Sequence, residues 1–130
     1  MIILSAKEII VSSKDYKEMT SLEELSGKEV YVRKSSSYFK SLLKANNALA
    51  KKGKKAIIIK EADEYLEDED LLEMVNAQIL PMIVVDTHKA AFWAQVFPDI
   101  VLHDAIALRE GAKKPREMGW IPIAGLIMWS

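Results

Sequence analysis

The chain has no cysteine, which removes together a disulfide framework, thiolate catalysis and cysteine-bearing metal sites. Histidine is nearly as scarce. His88 and His103 are the only two, and neither has a second histidine four residues away or a carboxylate at ligand-like spacing, so no metal and no cofactor is expected. The formal net charge of -1 supplies no overall field to gather nucleic acid or an anionic membrane. The one basic cluster, Lys51-Lys52-Gly53-Lys54-Lys55, has no interleaved aromatics and falls where a helix should end. It reads as a solvated helix terminus, and no nucleic-acid partner is expected.

Long apolar runs are also missing. The most apolar stretch, residues 119–130, is well short of the roughly 20 residues that span a bilayer. The N-terminal Met1-Ile2-Ile3-Leu4 lacks the basic start and the apolar run of about 7–15 residues that a signal peptide needs, so no export signal is expected in this chain. No Gly-x-Ser-x-Gly elbow, phosphate-binding Gly-Lys-Ser/Thr loop or Gly-x-Gly-x-x-Gly occurs, and the expectation is that the chain is not an enzyme.

What is present is the composition of an ordinary folded globule, half hydrophobic and 28% charged, with 130 residues to build one core. Two kinds of apolar run alternate. Val30-Tyr31-Val32, Ala56-Ile57-Ile58-Ile59 and Met82-Ile83-Val84-Val85 are short, β-branched and nearly continuous, as expected of strands covered on both faces. Between them, Phe39, Leu42, Leu43 and Leu49 recur at helical spacing within 36–52, and Gly53 ends that helix. Asp68-Glu69-Asp70 opens a second helix with Leu71, Leu72, Val75 and Ile79 on one face; the acidic run suits a helix start better than a metal site. Asp86-Thr87 starts a third helix through Ala90, Ala91, Ala94 and Val96, stopped by Pro98. A fourth strand follows over 100–108, broken near His103-Asp104, and residues 8–12 read as an additional, edge-like strand. The predicted fold is α/β, an open, mostly parallel sheet flanked by helices on both faces.

In such sheets ligands bind beyond the carboxyl ends of the strands. There the sequence places Arg33-Lys34-Ser35-Ser36-Ser37, Lys60-Glu61-Ala62-Asp63 and Asp86-Thr87-His88-Lys89. The serine run would bring backbone N–H groups, hydroxyls and the positive end of a helix dipole to one point, suited to a carboxylate or phosphate. Alternatively, one serine caps the helix and the others face water. Asp86 could hold a ligand ammonium or cap its own helix.

Residues 20–32, TSLEELSGKEVYV, resemble the start of the second lobe of family 3 extracellular solute-binding proteins. Arg33-Lys34-Ser35-Ser36-Ser37-Tyr38, the acidic stretch from Glu61 to Ala77, Val84-Val85-Asp86-Thr87-His88-Lys89-Ala90 and Phe92-Trp93-Ala94-Gln95-Val96-Phe97-Pro98 are similar to the solute-binding modules of membrane-bound lytic murein transglycosylase F. The resemblance covers residues 8–110. It implies one lobe of a periplasmic-binding-protein type II fold, non-catalytic in itself, located in the periplasm or outside the cell. It further implies a small-molecule or peptide ligand, such as an amino acid or a peptidoglycan fragment, held by Arg33, Ser35, Ser36, Ser37, Asp63, Asp86 and Thr87. The first lobe, or a catalytic domain in a full-length relative, would be a partner. The domain is then 1–110, and residues 111–130 form a divergent tail expected to pack on it or to pair between chains as a homo-oligomer. Two other functions stay open: an interaction or oligomerisation domain, and a phosphoacceptor using Asp86, against which the basic Arg33-Lys34 at the first strand's end speaks.

Overall fold

The structure, a computed structural model, describes residues 7–110. The expectations for the tail and for the first six residues lie outside the described residues. The chain forms β1 (Lys7–Ser13), a 3-10 turn (Leu22–Leu25), β2 (Glu29–Val32), α1 (Ser37–Lys51), β3 (Ile58–Glu61), α2 (Asp68–Asn76), β4 (Met82–Asp86), α3 (Thr87–Ala94) and β5 (Ile100–Glu110). One five-stranded sheet has the order β3-β2-β4-β1-β5. β2 pairs in parallel with β3 and β4, whereas β1 pairs antiparallel with β4 and β5. β1 alone is therefore reversed, and the other four strands point the same way.

Alternation along the strands sorts the core into two layers. Ile10, Val30, Val32, Met82 and Val84 face α1 and pack with Leu42, Ala45 and Leu49. Ile9, Val11, Ile83 and Val85 face α2 and α3 and pack with Leu71, Leu72, Val75 and Ala90. Each such fully buried side chain contributes roughly 1.5–3 kcal/mol relative to exposure.

Local chemistry sets the helix ends. At the end of α1, Gly53 (φ 70°) donates to the Ala50 carbonyl at 3.0 Å and Lys54 N–H reaches the Leu49 carbonyl at 2.9 Å. This paired return to the last turn requires a left-handed residue, which glycine provides without a Cβ penalty. At the start of α2, the Glu67 side chain accepts from the N–H of Asp70, and the Asp70 carboxylate accepts from the Glu67 N–H at 2.9 Å. The acidic run thus does cap a helix.

Several expectations are corrected. The N-terminal strand is not at an edge: β1 lies between β4 and β5, and Glu8 through Ser13 are all buried. The run at 56–59 is not a strand covered on both faces; β3 begins at Ile58, lies at the sheet edge and leaves Ile58 45% exposed. Helix α2 stops at Asn76, because Gln78 turns to φ 63°, and Ile79 faces solvent. Helix α3 stops at Ala94, ahead of Pro98, and Val96 is exposed, as is Leu43 on α1. β5 is continuous through His103-Asp104, but its register with β1 jumps there, from Ile10↔His103 to Ile9↔Ala107. The expected break is a bulge that leaves the strand whole.

Candidate functional site

Because β2, β3 and β4 are parallel, their carboxyl ends share one sheet edge, where the turn before α1, the β3–α2 loop and the start of α3 meet. Ser36 occupies the cap position of α1 in extended conformation (φ -84°, ψ 157°). Its hydroxyl does not cap the helix; it donates back to the Arg33 carbonyl at 2.8 Å. Ser37 and Tyr38 contribute first-turn N–H groups, which no intrahelical carbonyl can reach. No acceptor for either occurs among the described residues. The Ser37 hydroxyl is also without a partner there. A concave cluster of donors at the positive end of a helix favours an anionic group.

Asp86 ends β4 and caps α3, its Oδ1 accepting the His88 N–H at 2.7 Å. The capping alternative is therefore realised. A carboxylate has acceptor capacity for several donors, and one helix N–H uses only part of it. Tyr38 holds this strand end in place: its hydroxyl accepts the Asp86 N–H at 3.2 Å and donates to Asp68 Oδ2 at 3.3 Å. Burial, then the charge of Asp68, pushes the Tyr38 hydroxyl well above the usual phenol range, so it stays protonated as a donor.

Asp68, only 4% exposed, is the hub of the edge. Arg33 Nη2 and Lys89 Nζ each lie 2.8 Å from its carboxylate. The Asp68 hydrogen bond and charge hold the Lys89 ammonium above the ordinary lysine range. Arg33, expected at the ligand, is thus turned to Asp68, where it ties β2 to α2.

The remaining predicted residues divide. Ser35 is engaged by Glu64: its hydroxyl donates to Oε1, and the N–H groups of Ser35 and Lys34 reach Oε2 at 3.4 and 2.9 Å. These bonds, the Ser35 hydroxyl first, hold the Glu64 carboxyl below the usual range. The Thr87 hydroxyl donates to the Lys7 carbonyl at 2.9 Å and fastens α3 to β1. Asp63 accepts the Tyr65 N–H at 2.9 Å and lines a separate apolar cleft of about 320 Å³ with Tyr31, Leu66 and Met74. The edge therefore brings together Ser36, Ser37 and Asp86 through Tyr38, while Asp63 stands apart. Sequence reasoning missed Tyr38, Glu64, Asp68 and Lys89. The sequence shows Asp68 as helix-start charge and Lys89 at a strand end beside Asp86, and nothing in their spacing announces that they share one ion cluster.

Arrangement and topology define one lobe of the periplasmic-binding-protein type II fold. No family model and no curated protein matches the chain. Among solved structures, an ancestral arginine-binding protein bound to glutamine superposes with a TM-score of 0.55 at 20% identity, over 76% of this chain and 40% of that one. The second substrate-binding domain of a putative amino-acid ABC transporter from Streptococcus pneumoniae gives 0.58 at 15% identity, over 84% and 46%. The arginine-bound, truncated arginine-binding protein of T. maritima gives 0.55 at 20% identity, over 83% and 45%. At these identities the likeness is one of fold, and the chain spans less than half the length of each neighbour.

Proposed function

We propose that the chain is the ligand-binding second lobe of a family 3 solute-binding or sensor module, non-catalytic in itself and working outside the cytoplasm. The ligand is a zwitterion whose acid group sits on the open N–H groups and hydroxyl at Ser37 and Tyr38 and whose ammonium meets Asp86. The observation that carries this reading is the uncapped start of α1 held against Asp86 by Tyr38, an acid-seeking and an ammonium-seeking group joined by one hydroxyl. The neighbours support an amino acid as the ligand class, because the proteins they come from are named for binding arginine or were solved with glutamine or arginine. The residue likeness at 33–38, 61–77 and 84–98 extends the range to a peptide or a peptidoglycan fragment. The first lobe, closing over the edge, supplies the rest of the enclosure, since ligand sites bury most of their ligand.

The test is an amide chemical-shift titration of the 130-residue chain with amino acids, short peptides and muropeptides, repeated on Asp86→Asn. Asparagine keeps the cap and removes the charge. Saturable shifts at Ser36–Tyr38 and Asp86 at millimolar ligand, lost in the variant, are expected. Their absence in the wild-type chain with every ligand would sink the reading.

A further inference from the structure

Glu64 is not among the residues the sequence points to, yet its carboxylate is bound to the turn before α1. Its carboxylate receives the N–H of Lys34 at 2.9 Å, the N–H of Ser35 at 3.4 Å and the Ser35 hydroxyl. Two backbone donors and a hydroxyl converging on one carboxylate is the arrangement a ligand acid would seek, and here a side chain of the protein already fills it. The donors one turn further on, at Ser37 and Tyr38, are left open.

The charges around this turn reinforce the division. Arg33 and Lys89 are both held by Asp68 at 2.8 Å, and Lys34 Nζ lies 3.9 Å from Glu61. Glu61, Asp63 and Glu64 all belong to the β3–α2 side of the edge. A carboxylate arriving there meets three like charges and filled donors, and Arg33, Lys34 and Lys89 already have partners. Like charges at such distances repel, and the repulsion is not relieved by an available donor.

We propose that Glu64 is a specificity-determining residue: it pre-fills the Lys34–Ser35 donors, so that the edge accepts one ligand carboxylate at Ser37–Tyr38 and refuses a second. The inference rests on the ligand-binding reading above and narrows it to monocarboxylic zwitterions. Glutamine and glutamate have nearly the same shape and differ in that second charge, which makes them the discriminating pair.

The experiment follows the amides of the full chain, wild type and Glu64→Ala, which removes the acceptor that fills the Lys34 and Ser35 donors, during titration with glutamine, glutamate and sodium acetate. In the wild type, glutamate should bind about tenfold more weakly than glutamine, and in Glu64→Ala the two should come within about threefold with the glutamine response little changed. Acetate should give saturable shifts at Lys34 and Ser35 in the variant and none there in the wild type. An unchanged glutamine-to-glutamate ratio, or no acetate response at Lys34 and Ser35 in the variant, would overturn the proposal. If neither amino acid shifts either protein while acetate still moves Lys34 and Ser35 in the variant alone, the amino-acid reading falls and the pre-filled donors stand.

Discussion

The two ends of the sheet treat their polar groups in opposite ways. At the carboxyl ends of β2, β3 and β4, Asp68 gathers Arg33, Lys89 and Tyr38, and every member of that cluster is either ionised or bonded to an ion. At the far end, His103 is wholly buried and neutral: its Nδ1 accepts the Met19 N–H at 2.9 Å, and its Nε2–H donates to the Ser12 hydroxyl, 2.7 Å away. Ser12 in turn donates to the Ser13 carbonyl at 3.0 Å, which fixes the direction of the chain of bonds. The difference teaches what each end is built for. The neutral network is complete in itself and locks β5 and the 14–19 loop to β1, whereas the ionic one sits beside the Ser37 and Tyr38 N–H groups and the Asp86 carboxylate.

The largest expected effect breaks the ionic end. Asp68→Asn leaves Arg33 and Lys89 without their carboxylate, and loss of one partner of a buried ion pair costs about 3 kcal/mol, the low end of the usual range because Lys89 is half exposed. Urea denaturation should show the loss as a shifted midpoint at constant slope.

At the neutral end, His103→Gln should cost about 2 kcal/mol, the penalty of a buried donor or acceptor left with poorer partners. The same site gives the pH dependence. Burial holds the His103 imidazole below its ordinary range, against the opposing charges of Glu18, Asp104 and Glu24. The unfolded chain therefore takes up this proton first as pH falls through about 6.5, and stability drops on the acid side with a slope of at most about 1.4 kcal/mol per pH unit. Denaturation midpoints between pH 7.5 and 5 should show that decline in the wild type, and a weaker one in His103→Gln; equal slopes in both would refute the assignment.

Tyr38→Phe should be milder, about 1 kcal/mol, since the hydroxyl is lost from one side of two hydrogen bonds near the surface. Its sharper signature is local: the Asp86 amide shift should move while those of Ser12 and Met19 stay. Smallest of all, Glu64→Ala should move the denaturation midpoint least, because its hydrogen bonds lie at the surface, which separates its part in ligand choice from the structural part of Asp68.

Much of the fold was legible because it depends on short-range rules. The helix read at 36–52 from Phe39, Leu42, Leu43, Leu49 and Gly53 forms over 37–51, though Leu43 faces solvent, and the four successive apolar residues at 82–85 form the strand at 82–86. Reading failed where burial is decided by neighbours distant in sequence. Residues 8–12 look the same whether they lie at an edge or in the middle of a sheet, and only pairing with both β4 and β5 settles the matter. Ile58 has the side chain of a core residue, yet among the described residues β3 is the outermost strand and leaves it 45% exposed.

The site divides along the same line. That the serine run and Asp86 lie at one sheet edge was legible, because a strand followed by a helix start places those residues at the carboxyl ends of the parallel strands by topology alone. Which donors remain open there could not, since that depends on where Ser36 turns its hydroxyl and on a carboxylate 29 residues from Ser35. Composition and periodicity thus determined the class of fold and the edge at which chemistry is possible, both consequences of local propensity and of alternating strands and helices. Tertiary structure decided the partners: Asp68 between two cations, Glu64 on the turn, His103 sealed between Ser12 and Met19. Charge and hydrogen-bonding capacity belong to single residues, but their satisfaction is a property of contacts that only the folded chain brings within reach.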